Sequence, residues 1–170
     1  CVIKPAIGFF SLGVYTVNHS GEWDRVKQSL IDDIQYIRNL YPTEVLDTAK
    51  YIIEEYIYGD EYAFDAYYDH EGKPVMLNIL KHYFASGDDV SDRVYVTSRQ
   101  IMRDNMGLMI DFLERLGTRV EMKNFPLHVE VRIDEKGRMV PIEVNPMRFG
   151  GWCTTADNAG FAYGLNTYEY

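Results

Sequence analysis

Two rhythms of apolar and polar positions run along this chain. Trp23, Val26, Leu30, Ile34 and Ile37 recur at spacings of three and four, and Ile101, Leu108, Met109, Phe112 and Leu116 form a second stripe of this kind. Such spacing places apolar side chains on one face of a helix. The first helix is predicted over 21–40, with Ser20 as N-cap, Glu22 and Asp24 in the first turn and Pro42 as the stop. The second opens at the capping-box pattern Thr97-Ser98-Arg99-Gln100 and is predicted to end at Gly117.

Elsewhere the segments read as strands, predicted over 1–4, 12–18, 51–57, 61–69, 75–84, 127–134 and 138–145. The turn His70-Glu71-Gly72-Lys73 closes one hairpin and Lys136-Gly137 closes the last. Residues 85–96, with Gly87, Asp88, Asp89, Ser91 and Asp92, read as a loop, and the residues after 145 as a Gly- and aromatic-rich tail. Hairpins with helices between them predict an α+β fold dominated by antiparallel sheet.

A length of 170 residues suits one domain or two small lobes, and 46% hydrophobic with 25% charged residues excludes a disordered chain. The net charge of −9 argues against a nucleic-acid surface, which needs clustered Lys and Arg. It leaves room for a nucleotide held by a few cations, backbone N–H groups and Mg²⁺. Cys1 and Cys153 lack the spacing of a disulfide framework or a metal site, so a reducing cytoplasm is expected. No apolar run approaches the ~20 residues of a bilayer span. Cys1-Val2-Ile3 reads as the inside of a strand, so the sequence is expected to begin mid-protein.

The last hairpin carries the candidate chemistry. Alternate strand residues share a face, so Val129, Val131 and Ile133 belong to the core and His128, Glu130, Arg132 and Asp134 to the other side. On the return strand Val140, Ile142 and Val144 are expected on the apolar face, opposite Met139, Pro141, Glu143 and Asn145. A two-residue Lys136-Gly137 loop then sets Glu130 across from Glu143 and His128 across from Asn145. Directly opposed like charges cost a strand pair a few tenths to ~1 kcal/mol, so something positive belongs between them. Two carboxylates and an amide oxygen are hard ligands suited to Mg²⁺. A solvated face neutralised by Arg132 or Arg148 is the alternative.

Two further segments are suggestive. Lys4-Pro5-Ala6, followed by Gly8-Phe9-Phe10-Ser11-Leu12-Gly13, can present an ammonium and backbone N–H groups to phosphates, or simply form a hairpin turn. The stretch from Ile53 to Glu61 can offer backbone groups to an adenine and a carboxylate to a ribose, or be an edge strand with solvated acids.

In this order, Lys4-Pro5 with its Gly/Ser loop, Glu54-Glu55-Tyr56-Ile57 with Gly59 and Glu61, and Glu130 paired with Glu143-Val144-Asn145-Pro146 resemble the ATP-grasp superfamily. That superfamily includes D-alanine–D-alanine ligase, biotin carboxylase and carbamoyl-phosphate synthetase. The resemblance runs from Lys4 to about Gly151. It implies two lobes of mainly antiparallel sheet with a nucleotide cleft between them, here 1–57 as part of the small lid lobe and 58–170 as the C-terminal lobe with the metal site. It implies ATP and Mg²⁺, with Mn²⁺ an alternative, and an ATP-dependent ligase that joins a carboxylate to an amine through an acylphosphate. A phosphotransferase and a non-catalytic nucleotide-binding module are the alternatives.

Carried over residue by residue, Lys4 resembles the lysine on the α-phosphate and adenine side. Gly8, Ser11 and Gly13 belong to the loop over the phosphates. Glu54 and Ile57, with Glu55 between them, match the adenine hinge, and Glu61 the acid on the ribose. Glu130, Glu143 and Asn145 resemble the metal ligands. Arg148 resembles the arginine that stabilises the anionic intermediate, although it stands three residues after Asn145 where many relatives have two. His128, Lys81, His82 and Arg93 are candidates for phosphate or acceptor contacts, and the Gly150-Gly151 tail for the acceptor pocket. Small-molecule carboxylate and nucleophile substrates are the expected partners, with a homodimer left open and no nucleic acid or membrane. The family's upstream lysine and N-terminal domain have no counterpart in the sequence, which predicts weak nucleotide binding or no turnover for the chain by itself.

Overall fold

The computed structural model describes residues 1–8, 11–37, 42, 46–84, 94–150, 154–167 and 169. They fall into two compact units, one formed mainly by Cys1–Tyr56 and one by Ile57–Tyr83 with Arg93–Tyr170.

In the first unit β1 (Val2–Ile7) lies between β2 (Tyr15–Thr16) and β3 (Asp47–Glu54), all antiparallel. A 3₁₀ turn, Ser20–Glu22, leads into α1 (Trp23–Ile37). Among the described residues Ile3, Val26 and Leu46 are buried in this unit. Ser20 is not the N-cap. It lies inside the 3₁₀ turn, His19 takes the extended capping position without a side-chain bond, and Glu22 reaches back to accept the Asn18 N–H at 2.8 Å. β2 is shorter than the predicted 12–18 because positive φ at Ser11 (54°) and Gly13 (73°) turns the chain. The expected helix end at 40 and the aromatics Phe9 and Phe10 lie outside the described residues.

The second unit is a five-stranded antiparallel sheet in the order β6 (Val94–Val96), β5 (Pro74–Tyr83), β4 (Asp60–Tyr68), β7 (Phe125–Ile133), β8 (Met139–Pro146). Tyr62, Phe64, Ala66 and Tyr68 of β4, Ile79 of β5, and Leu127, Val129 and Val131 of β7 share one face. They bury against Met109 and Leu113 of α2 (Arg99–Val120). Removing one such Leu or Phe side chain from water contributes about 1.5–3 kcal/mol, so this layer anchors the unit. α2 opens in the expected segment, but its cap is Ser98, whose hydroxyl accepts the Ile101 N–H at 3.1 Å. The capping-box pattern puts Thr97 in that role, and Thr97 instead donates to the Ile79 carbonyl while Gln100 turns to Asp104.

Further expectations are corrected here. The helix does not stop at Gly117. It continues to Val120 and ends in a left-handed Glu121, whose N–H reaches the Gly117 carbonyl. The stretch 85–96 is not all loop, since Val94–Val96 pairs with β5, while 85–93 lies outside the described residues. The tail contains a helix, α3 (Thr154–Tyr163). The last hairpin turns through three residues, 135–137, because Asp134 pairs with Arg138, its carboxylate accepts the Lys136 and Arg138 N–H groups, and Gly137 has φ 75°. That register opposes Ile133 to Met139, Val131 to Pro141 and Arg132 to Val140, so Val140 does not share a face with Val144. A bulge at Ile142 adds the missing residue, after which Glu130 opposes Glu143 and His128 opposes Asn145. The site register is therefore the predicted one, reached by a longer turn and a compensating bulge. Among the described residues no helix is long and apolar enough to cross a membrane.

Candidate functional site

The face of the sheet turned away from α2 carries ordered polar rows. Strand pairing aligns Asn78, Asp65, His128 and Asn145 across β5, β4, β7 and β8. The next row is Leu80, Ala63, Glu130 and Glu143, and the one after it His82, Glu61, Arg132 and Val140. Period-two alternation within each strand, plus the bulges opposite 65/66 and 130/131, puts these side chains together.

His128 is the centre of the first row. Its Nδ1 lies 2.8 Å from Asp65 Oδ1 and its Nε2 3.4 Å from Glu130 Oε1, with its side chain 4% exposed. Burial pulls its pKa down, but the bonds and charges of Asp65 and Glu130 outweigh this and push it up to about 9. The ring is therefore an imidazolium between two carboxylates at neutral pH. Burial pushes Glu130 up, yet the His128 bond and charge, with His82 and Arg148 further off, hold it below the usual carboxylate range. Asp65 is likewise held low against its burial by His128, Thr155 and Asn78. Arg148 is exposed, with Nη1 3.5 Å from the Phe149 carbonyl, and its charge is felt at Glu130.

A second cluster joins β4, β5 and β7. Glu61 accepts Arg132 Nε at 2.9 Å on one oxygen and meets His82 Nδ1 at 3.1 Å with the other. Arg132 Nη1 also donates to the Ile57 carbonyl at 2.9 Å, fixing the segment between β3 and β4. A Cβ at Gly59 (φ 140°) would fall 2.1 Å from the Ile133 carbonyl oxygen, so only glycine lets this segment lie so close to β7. The proposed ribose acid and the carbonyl of Ile57, one of the two proposed hinge positions, are thus both occupied within the fold. His82 stacks on Tyr95, and Lys81 is ion-paired with Asp60 at 2.6 Å. Arg93 lies outside the described residues.

The remaining candidates sit in the first unit. Lys4 Nζ lies 2.8 Å from Glu54 Oε2 across β1 and β3, and Glu55 is exposed just beyond β3. Gly8, Ser11 and Gly13 form the turn region after β1, where a Cβ at Gly13 would meet Pro5 Cγ at 3.1 Å.

Among the described residues no group of three His, Cys, Asp or Glu side chains forms a ready metal cage. Mg²⁺ does not require one, because it keeps several waters and takes one or two carboxylates together with substrate phosphates. Glu130, Glu143 and Asn145 meet that demand as hard oxygen donors on adjacent strands. The Asn145 amide nitrogen is buried with no hydrogen-bond partner among the described residues, and rotation about χ2 presents its oxygen at the same place. The donor set fits the ion.

Asp65 and Asn78 escaped the sequence reading, and Gly150 and Thr155 entered it only within the tail assigned to an acceptor pocket, not as parts of this network. Asp65 and Asn78 are lone polar residues inside apolar runs of paired strands, which was a usable signal. Gly150 gave none, since its role depends on a distant ring: a Cβ there would stand 2.1 Å from His128 Cε1.

The model of the ATP-grasp domain family matches residues 1–156. No curated protein matches the chain. Among solved structures, an L-amino acid ligase from Bacillus licheniformis superposes with a TM-score of 0.68 at 21% identity, over 97% of this chain and 36% of that one. A biotin carboxylase–β,γ-ATP complex from Campylobacter jejuni gives 0.71 at 12%, over 99% and 35%. The VanG D-Ala:D-Ser ligase from Enterococcus faecalis gives 0.59 at 18%, over 99% and 44%. At such identities these likenesses speak to the fold, and the chain spans less than half the length of each. The family match covers nearly the whole sequence and agrees with the antiparallel sheets and helices described above: the chain belongs to the ATP-grasp family.

Proposed function

We propose that this chain is the nucleotide- and metal-binding part of an ATP- and Mg²⁺-dependent ligase that joins a carboxylate substrate to an amine or similar nucleophile. The observation that supports this most is the opposition of Glu130 and Glu143 across β7 and β8, with Asn145 next to them. A strand pair tolerates opposed carboxylates when a cation lies between them. When bound, Mg²⁺ would neutralise phosphate charge as the substrate carboxylate attacks the γ-phosphorus, giving an acylphosphate and ADP.

The chain's own residues supply position and charge. His128 holds Glu130 by one oxygen and keeps it ionised. Lys4, set by Glu54 and still 20% exposed, presents its ammonium to phosphate. Gly8, Ser11 and Gly13 offer a turn whose N–H groups suit the same anion. Arg148 is assigned to the oxyanion that forms when the nucleophile adds to the acyl carbon. No proton relay through a Ser-His-Asp arrangement is required.

The test is a thermal-shift titration with Mg-ADP on the wild type and on Glu143→Gln. At one hundred times Kd, ligand binding contributes about 2.7 kcal/mol, or roughly 5–10 °C for a chain of this size. The wild type should show that rise and Glu143→Gln much less of it. Equal stabilisation of the two proteins would remove Glu143 from the ligand set.

A further inference from the structure

We propose that Asp65 is the positioning residue of this site: one buried carboxylate ties the strand bearing Glu130 and the segment following Arg148 to a single point. The inference rests on the ligase reading above. Asp65 is fully buried at the middle of β4. Its Oδ1 accepts His128 Nδ1–H at 2.8 Å and the Gly150 N–H at 2.9 Å, and its Oδ2 accepts Asn78 Nδ2 at 2.8 Å. The Asp65 N–H in turn donates to Asn78 Oδ1 at 3.0 Å. Around this knot, Thr155 Oγ1 donates to the Gly150 carbonyl at 2.9 Å and Asn78 Nδ2 reaches the Thr155 carbonyl at 3.3 Å.

Sheet packing does not need a charge at this place. The neighbouring row on the same face holds Ala63 and Leu80, both buried, and an apolar pair at 65 and 78 would extend it. A carboxylate so far from water is costly unless its lone pairs are filled, and here donors from three separate segments fill them. An asparagine could not replace it. Its oxygen would serve His128 and Gly150, but its own NH₂ would face the NH₂ of Asn78. The consequence reaches the ligands through His128. With Nδ1 fixed on Asp65, the ring has one orientation, and that orientation directs Nε2 at Glu130 Oε1. Gly150 lies so close over the ring that the imidazole cannot swing out. Asp65 thus sets Glu130 through His128, and sets the backbone two residues beyond Arg148 directly. Partners one step removed from a metal commonly change its affinity ten- to a hundredfold.

The experiment measures ADP binding by calorimetry with Mg²⁺ and with EDTA, for the wild type, Asp65→Asn, Gly150→Ala and Glu143→Gln. Amide exchange of the ligand-free proteins is followed in parallel. Asp65→Asn should cut the Mg²⁺-dependent gain in affinity about tenfold, with ADP binding in EDTA unchanged. The Gly150 amide should exchange at least tenfold faster while Val129 and Val131 keep their protection. Gly150→Ala, which displaces the His128 ring and leaves Asp65 in place, should lose the same gain, and it decides the matter if Asp65→Asn does not fold. A folded variant with faster Gly150 exchange but the full Mg²⁺ gain overturns the proposal, because Asp65 would then be structural only. A wild type without any Mg²⁺ gain, or a Glu143→Gln that retains it, takes down the ligase reading first and this inference with it.

Discussion

Gly107 and Gly117 stand in the same helix, α2, and substitution by alanine should drive them in opposite directions. An interior Gly→Ala change stabilises a helix by ~1 kcal/mol. A Cβ at Gly107 meets nothing within 4 Å, so that gain should be realised in full. At Gly117 the new methyl would lie 2.4 Å from Tyr68 Cε1 and 3.0 Å from Cζ. Ordinary carbon contacts are about 3.5–4.0 Å, so the ring must retreat by over ~1 Å inside a fully packed layer. Overpacking of this kind costs about 1–3 kcal/mol. Moving the ring also breaks the Tyr68 hydroxyl's 2.7 Å bond to the Leu113 carbonyl, and a buried hydroxyl without a partner costs about 1–3 kcal/mol more. Set against the helix gain, Gly117→Ala should lose about 3 kcal/mol net, some 4 kcal/mol below Gly107→Ala. Urea unfolding followed by circular dichroism gives both values, with an unchanged denaturant slope as the check that only stability moved. If Gly117→Ala proves as stable as Gly107→Ala, the helix ends before Gly117 or Tyr68 does not pack beneath it, and the fold described here is wrong at that layer.

Three further outcomes are expected. His128 has a folded pKa of about 9 against an ordinary value near 6.5, so its protonated form contributes stability that is complete below about pH 6.5 and disappears as pH rises through 9. The shift corresponds to about 3 kcal/mol, and urea unfolding at pH 6 and pH 10 should show that loss in the wild type but not in His128→Gln; parallel pH profiles would refute it. Arg132→Lys loses the fork that joins Glu61 to the Ile57 carbonyl, so it should cost about 2 kcal/mol by denaturation and speed amide exchange around 57–60. Ser98→Ala removes the cap of α2 and should cost about 1 kcal/mol by the same measurement, with unaltered stability showing the hydroxyl to be idle.

The features legible in the amino-acid sequence were local ones. The apolar stripe of α2, the two hairpins, and the opposition of Glu130 to Glu143 were all legible, because helix and strand periodicity act over a few residues; the cap of α2 fell one residue later than its pattern, at Ser98. The order of Lys4, the 54–61 segment and the final Glu-x-Asn was legible too, since a family's motif order survives in the chain itself. The expected Lys136-Gly137 loop shows the limit: the alignment of the two glutamates was right, but it depends on a longer turn and on a bulge at Ile142 that cancels it. Short or weakly patterned elements were missed, β6 for its three residues and α3 because small residues bury it without an apolar stripe.

Which polar residues act together follows from the three-dimensional fold alone. The Asp65 carboxylate meets donors 13, 63 and 85 positions away. By sequence Gly117 is a helix stop and Gly150 part of an acceptor-pocket tail, yet each is glycine because a ring from a distant strand occupies the space a methyl would need. Such contacts have no period along the chain. They arise when hydrophobic burial brings the strands into register, and the hydrogen-bonding demands of whatever lands on the closed face then determine which side chains can remain there.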